Sequence, residues 1–205
     1  MCIDIMKSLG ACFFLFVLLG AVKTTRWSFE SDSNDEIARG FSSDAGRWVV
    51  VDLPEGGKAF AQTAKSPDPA FNVALVKESH ARDLNLSVRL RAVAGDGDQG
   101  GGLVWRASDS KNYYIARFNP LENNFRVYKV VEGKRTQVLS ANAKNTPGWH
   151  TLHVRMRGDH ITCELDGKTF LDVHDVTFPD AGMVGLWSKA DAQTQFDDLI
   201  LDAIE

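Results

Sequence analysis

Five arginines with two tyrosines between them are the residues of this chain best equipped for recognition chemistry: Arg89, Arg91, Arg106, Arg117 and Arg126, with Tyr113 and Tyr128 interleaved. A guanidinium group presents a planar fork of donors that matches vicinal oxygens or a carboxylate. A tyrosine ring offers a flat apolar surface for a pyranose. In a chain of net charge −4, these groups on one sheet face would make a local cationic surface suited to a saccharide. The competing reading is a charged outer face neutralised by Asp and Glu from neighbouring strands. Either way the residues must share one side of a pleat, and a register slip of one position reverses every side chain.

The elements that would position them are strands. In Leu84–Val93, the residues Leu84, Leu86, Val88, Leu90 and Ala92 alternate with Asn85, Ser87, Arg89 and Arg91. The stretch from Gly100 to Leu139 predicts four more strands: Leu103–Arg106, Asn112–Phe118, Phe125–Val131 and Thr136–Leu139. Leu103, Trp105, Tyr114, Ala116, Phe118, Phe125 and Val127 form their inward set. Around this meander, strands are expected at Trp27–Phe29, Trp48–Asp52, Ala59–Thr63, Asn72–Val76, Trp149–Arg157, Ile161–Leu165, Lys168–Val173, Gly182–Ser188 and Gln195–Leu201; residues 23–47 are polar and turn-rich after Trp27 and Phe29, with Ser31 to Asn34 a loop. Asp166-Gly167 is a two-residue hairpin signal. A chain of 205 residues has room for one all-β sandwich with a sizeable core. The expected architecture is a two-sheet antiparallel jelly roll.

The N-terminus is of another character. Leu9–Val22 is apolar and uncharged, preceded by Lys7. Residues 1–24 are expected to be a signal peptide, and 25–205 a single domain, secreted or periplasmic. Membrane attachment follows only if the segment stays uncleaved as an anchor. Of three cysteines, Cys2 and Cys12 lie in that segment. Cys163 alternates with Ile161 and Leu165 and reads as a buried, inert thiol. The acidic balance excludes nucleic acid as a partner attracted by a global field. A monomer is expected.

Several pieces in order carry a resemblance: Gly102-Leu103-Val104-Trp105-Arg106, Asn112-Tyr113-Tyr114, Gly148-Trp149-His150-Thr151-Leu152, Leu165-Asp166-Gly167, Gly182-Met183-Val184-Gly185-Leu186-Trp187 and Phe196-Asp197-Asp198-Leu199. Together, over residues 27–203, they resemble the concanavalin A-like lectin/glucanase superfamily. Within it they are most similar to its laminin-G-like and 3-keto-disaccharide hydrolase (family 16 glycoside hydrolase-like) branch. The resemblance implies a jelly roll with a concave face that takes carbohydrate. It also implies alternatives: hydrolysis of a 3-keto-disaccharide, or protein–protein adhesion of the laminin-G kind. Where the family holds a structural calcium, it joins the first and last strands, which here carry Glu30, Asp197 and Asp198.

Signals for catalysis are weaker. Glycoside hydrolysis needs two carboxylates flanking one bond. The laminarinase-type Glu-x-Asp-x-x-Glu pattern of that superfamily is absent; the nearest string, Glu30 to Asp35, ends in Asp and lacks apolar alternation. Glu164 and Asp166 share a strand face, but Asp166 belongs to a turn. Asp96-Gly97-Asp98 resembles the start of a calcium loop, yet the residue twelve along is Ala107. His80, His150, His153, His160 and His174 show no zinc-binding pattern.

Overall fold

The computed structural model of the chain describes residues 21–144 and 146–204, and all regular structure there is β. One sheet contains β1 (Val22–Trp27), β3 (Trp48–Asp52), β4 (Lys58–Gln62), β6 (Asp83–Ala94), β11 (His150–Arg157), β12 (His160–Leu165), β13 (Lys168–His174) and β15 (Gln193–Ile204). Its order is β13-β12-β11-β6-β15-β4-β3, with β1 also paired to β15. The other contains β2 (Phe41–Ser43), β5 (Phe71–Val76), β7 (Gly101–Asp109), β8 (Asn112–Asn119), β9 (Asn124–Val131), β10 (Lys134–Asn142) and β14 (Met183–Lys189), ordered β10-β9-β8-β7-β14-β5-β2. The ladders between these strands are antiparallel. The expected two-sheet sandwich is the fold observed.

The alternation in β6 does what period two requires. Leu84, Leu86, Val88 and Leu90 are buried against the second sheet, and β11 answers with Leu152, Val154 and Met156. Leu103, Trp105, Tyr114, Ala116, Phe118, Phe125 and Val127 close the core from the other side. Each large side chain removed from water here contributes about 1.5–3 kcal/mol. Trp105 and Tyr114 stack at 5.4 Å, and Phe60 sits 4.9 Å from Phe41 and 5.4 Å from Trp48. Cys163 is fully buried in this core, and burial pushes its thiol pKa up.

Several elements differ from expectation. The first strand is Val22–Trp27, not Trp27–Phe29, because Phe29 takes φ 63° and turns its ring into the core beside Phe41 and Phe60. A short strand, β2, forms within the turn-rich stretch. Strand β10 runs from Lys134 to Asn142, longer at both ends than Thr136–Leu139, and β7 and β15 likewise outrun Leu103–Arg106 and Gln195–Leu201. The expected leader lies, up to residue 20, outside the described residues. Val22 and Lys23, within its expected span, pair with Ile204 and Ala203.

Candidate functional site

Outward positions of the second sheet line up in rows across its strands. Trp187, Gly102, Arg117 and Arg126 are successive partners on β14, β7, β8 and β9. The next row is Gly185, Val104, Ile115, Tyr128 and Gln137, and the next holds Tyr113, Val130 and Arg135. Gly102 is required: a Cβ there would stand 1.8 Å from the Ala116 carbonyl oxygen, so the row has a gap between Trp187 and Arg117. Among the described residues no third layer of structure covers this face, yet Val104, Tyr113, Ile115, Val130 and Trp187 are fully buried. They form a satellite cluster closed by Phe71, Met183 and the side chain of Arg135. The Arg135 guanidinium carbon lies 4.4 Å from the Tyr128 ring centre, 5.3 Å from Phe71 and 5.6 Å from Trp187, a cation–π arrangement with three walls.

A charged network runs beside the cluster. Arg117, 2% exposed, donates through Nη2 to Asp98 Oδ1 at 2.5 Å and through Nη1 to Glu122 Oε2 at 3.4 Å. Asn119 Nδ2 donates to the same Asp98 oxygen at 3.0 Å. Arg126 Nη1 reaches Glu122 at 3.2 Å and Tyr128 Oη at 3.3 Å. Lys189 pairs with Asp68 and stands 3.5 Å from Asp98 Oδ2. Asp98 is placed from below: Asp191 accepts the amides of Asp96, Gly97 and Asp98 at 2.7–3.0 Å and pins that loop. A cavity of about 300 Å³ opens there among Ser66, Asp68, Gly97, Lys189, Ala190 and Asp191.

Burial would raise the Glu122 pKa, but the Asn124 hydrogen bond with the charges of Arg117 and Arg126 outweighs it and holds the carboxyl below its ordinary range. Burial lowers the Arg135 pKa, and it strongly raises that of Tyr113, slightly offset by the nearby Trp187 N–H. Neither Tyr113 Oη nor Trp187 Nε1 has a hydrogen-bond partner of ordinary geometry.

The seven expected ligand residues do not share this face. Tyr113, Arg117, Arg126 and Tyr128 do. Arg89 and Arg91 point outward from β6, which belongs to the first sheet, on the opposite side of the molecule. Each strand's inward–outward parity is as expected; what differs is that the Gly95–Gly100 connection carries the chain from one sheet to the other. Arg106 leaves the row for another reason. The β7–β8 register breaks between Trp105 and Asp109, and Arg106 takes φ 48°, the signature of a bulge that re-aims a side chain. It lies buried at the end of the sandwich, donating to the carbonyls of Arg82, Phe178 and Gly158 at 2.7–2.9 Å and to Asp83 at 3.3 Å.

The residues expected to hold calcium do not fit the ion. Arg89 Nη1 lies 3.1 Å from Asp197 and 3.7 Å from Asp198, and Arg26 donates to Asp198 at 2.5 Å. Glu30 accepts the Lys58 amide at 3.1 Å. Hard cations need several converging oxygens, and no group of three or more His, Cys, Asp or Glu so arranged exists among the described residues. Burial, with the neighbouring charges of Asp198 and Glu30, raises the Asp197 pKa. Of the weaker carboxylate pairs, Asp166 is used up by the Thr151 amide at 2.8 Å and His150 at 2.7 Å.

A larger cavity, about 610 Å³, lies near β1 among Lys23, Trp27, Val76, His80 and Ile204. Among the described residues no ion pair involves its lining side chains, whereas the second-sheet face gathers guanidinium groups and carboxylates, so that face is the better candidate. Sequence reasoning missed Asp98, Glu122, Arg135 and Lys189. Arg135 falls just before the expected strand Thr136–Leu139, whereas β10 begins two residues earlier, at Lys134. Trp187 is buried on the site's face.

No protein-family model matches the chain, and no curated protein does. Among solved structures it is similar to carbohydrate binding module CBM66 from Bacillus subtilis, with 22% identity, 80% of this chain and 96% of that one covered, and a TM-score of 0.68. It is similar to the GH43 protein BlXynB from Bacillus licheniformis at 17% identity, covering 87% of this chain but only 39% of that one, TM-score 0.62. It is also similar to a Bacillus subtilis protein with a galectin-like fold, at 10% identity over 87% and 94%, TM-score 0.65. These likenesses establish the fold, a two-sheet antiparallel β-sandwich.

Proposed function

We propose that this chain is a carbohydrate-binding module that holds a saccharide on the outward face of its second sheet. The observation that carries this is three guanidinium groups, Arg117, Arg126 and Arg135, and paired carboxylates gathered over buried rings on a face that no other layer covers among the described residues. Sugar hydroxyls exchange well with such charge-assisted pairs, and Arg126, Glu122 and Arg135 stay partly exposed to meet them. The similarity to a solved carbohydrate binding module supports the reading. Binding without turnover is favoured by the carboxylates. A glycosidase needs one carboxyl kept protonated as the acid, whereas Glu122 is held ionised and Asp98 is engaged by Arg117.

The test is retention on a glycan array by residues 21–205, with Arg126→Ala as the probe, since its side chain is 30% exposed and its loss leaves the core intact. Loss of its charge-assisted contacts should weaken retention by about tenfold. Unchanged retention in a folded variant removes the face from consideration. We further infer export, supported by the apolar Leu9–Val22 run. Removal of the leader at or before Ala21 would leave β1 whole, and N-terminal sequencing of the exported protein checks the position.

A further inference from the structure

The recess has more donors than acceptors. Among the described residues six buried side-chain polar atoms lack a hydrogen-bond partner. Four of them are on this face and can donate: Tyr113 Oη, Arg117 Nε, Arg135 Nη1 and Trp187 Nε1. One, Asn124 Oδ1, is an acceptor at the foot of β9 beside Glu122, and the last, Trp105 Nε1, belongs to the core between the sheets. Charge follows the same imbalance. Arg117, Arg126 and Lys189 share Asp98, Glu122 and Asp68. Among the described residues Arg135 has no ion pair, its buried Nη1 has no hydrogen-bond partner, and aromatic faces are its near contacts, with Asp98 and Glu122 acting on it only from farther off. A desolvated guanidinium N–H without an acceptor is costly, and a protein that merely needed to cover three rings could use an apolar side chain. Arg135 is only partly buried, so a ligand can reach it.

We propose that the recess selects saccharides that carry a carboxylate, that is, uronates, and that Arg135 is the residue that pairs with that carboxylate. The inference rests on the saccharide reading above and names the ligand class for the same face. A carboxylate supplies two acceptor oxygens in the plane that a guanidinium fork offers. It also supplies the negative charge that Arg135 alone in the patch lacks. Neutral sugars offer only hydroxyls, which donate as readily as they accept.

The experiment uses matched ligands: pectate, alginate and hyaluronan, each beside its carboxyl-reduced form, which keeps the linkages and removes the charge, with a panel of neutral glycans alongside. The intact domain should retain at least one uronate about tenfold better than its reduced partner. That advantage should shrink as salt is raised. Arg135→Gln, with its melting curve checked, should bring the two forms together by weakening the acidic one. Equal or better retention of the reduced forms overturns the inference and leaves saccharide binding standing. Retention of no glycan, acidic or neutral, overturns both. If Arg135→Gln fails to fold, the salt dependence of the unaltered protein still decides, because an uncharged mode of binding would not weaken between low and high salt.

Discussion

On the first sheet Arg89 and Arg91 stand over the Trp149 ring, their guanidinium carbons 4.8 and 4.7 Å from its centre. On the second, Arg135 stands over Tyr128 at 4.4 Å, with Phe71 and Trp187 on its flanks. The residue types are the same, but the electrostatic completion differs. Arg89 is answered by Asp197 and Asp198, and Arg91 by Glu55 and Gln195, so that face is a closed, solvated set of pairs. Among the described residues Arg135 has no ion-pair partner, and Tyr113 Oη, Arg117 Nε and Trp187 Nε1 on its face are buried and unpaired. A cationic face that satisfies itself needs nothing from outside. One that removes donors from water and leaves them without acceptors is incomplete until something arrives.

The largest effect that separates the two faces should come from Arg117→Ala. It leaves the Asp98 carboxylate, 3% exposed, with only Asn119 and the longer Lys189 contact. Stranding a buried charge costs about 3 kcal/mol or more. Urea denaturation should show a loss of that size, and Asp98→Asn added to Arg117→Ala should recover part of it. Additivity of the two losses would mean that the pair is not coupled and that the second face is no different in kind from the first.

How much of this was legible beforehand follows from what period two can and cannot say. Within β6 the alternation of leucine with Arg89 and Arg91 settles which residues face inward, and the same holds for Tyr113, Arg117, Arg126 and Tyr128 in β8 and β9. Nothing in that alternation says which sheet a strand joins. The Gly95–Gly100 connection moves the chain between layers, so five arginines of equal parity end on two faces and in one bulge. Arg106 departs because the bulge spoils the pleat at that residue, and no side-chain pattern marks it. Asp98 and Lys189 were illegible for a different reason. They come from loops or strand ends distant in the chain, brought beside Arg117 by pairings of β7 with β8 and β14 that only the tertiary fold sets. The calcium expectation did not foresee Arg89 and Arg26 beside Asp197 and Asp198, neighbours that the ends of the chain alone do not reveal.

A middle case sharpens the comparison, at the seam between the layers. Asp175 accepts from Lys129 Nζ at 2.8 Å, from Tyr114 Oη at 2.7 Å and from the Thr177 amide at 2.9 Å. Burial works to raise its pKa, but these bonds outweigh it and bring the value down to about 2. The same burial, with the bond to Asp175, raises Tyr114 to about 12. A carboxyl lowered in the folded state adds stability that is complete above its unfolded pKa and is lost as pH falls through the folded one. Asp175→Asn should therefore cost about 2 kcal/mol at pH 7. The gap between variant and parent should close between about pH 4 and pH 2. A gap that stays constant in acid would show that the network stabilises through packing and not through the ionised form.

The smallest effect is expected on the first face, from Arg89→Ala. Its side chain is 42% exposed, and an ion pair so open to water contributes at most about 1 kcal/mol. Saccharide retention should be unchanged, because Arg89 lies on the side of the sandwich opposite Arg135. The pH dependence is nevertheless informative. Burial, Asp198 and Glu30 already raise the Asp197 pKa against the pull of Arg89. A carboxyl raised in the folded state opposes folding while it is ionised and stops doing so once protonated. Without Arg89 the Asp197 pKa should rise further. The variant's deficit should then be widest at neutral pH and shrink as acid protonates Asp197, at a higher pH than the Asp175 gap closes, because one carboxyl is raised and the other lowered. Guanidinium titrations at pH 7 and pH 4 check this: a deficit undiminished at pH 4 would show that Arg89 does not act through the ionised Asp197. Loss of glycan retention in Arg89→Ala would place the binding surface on the first sheet and undo the distinction between the faces.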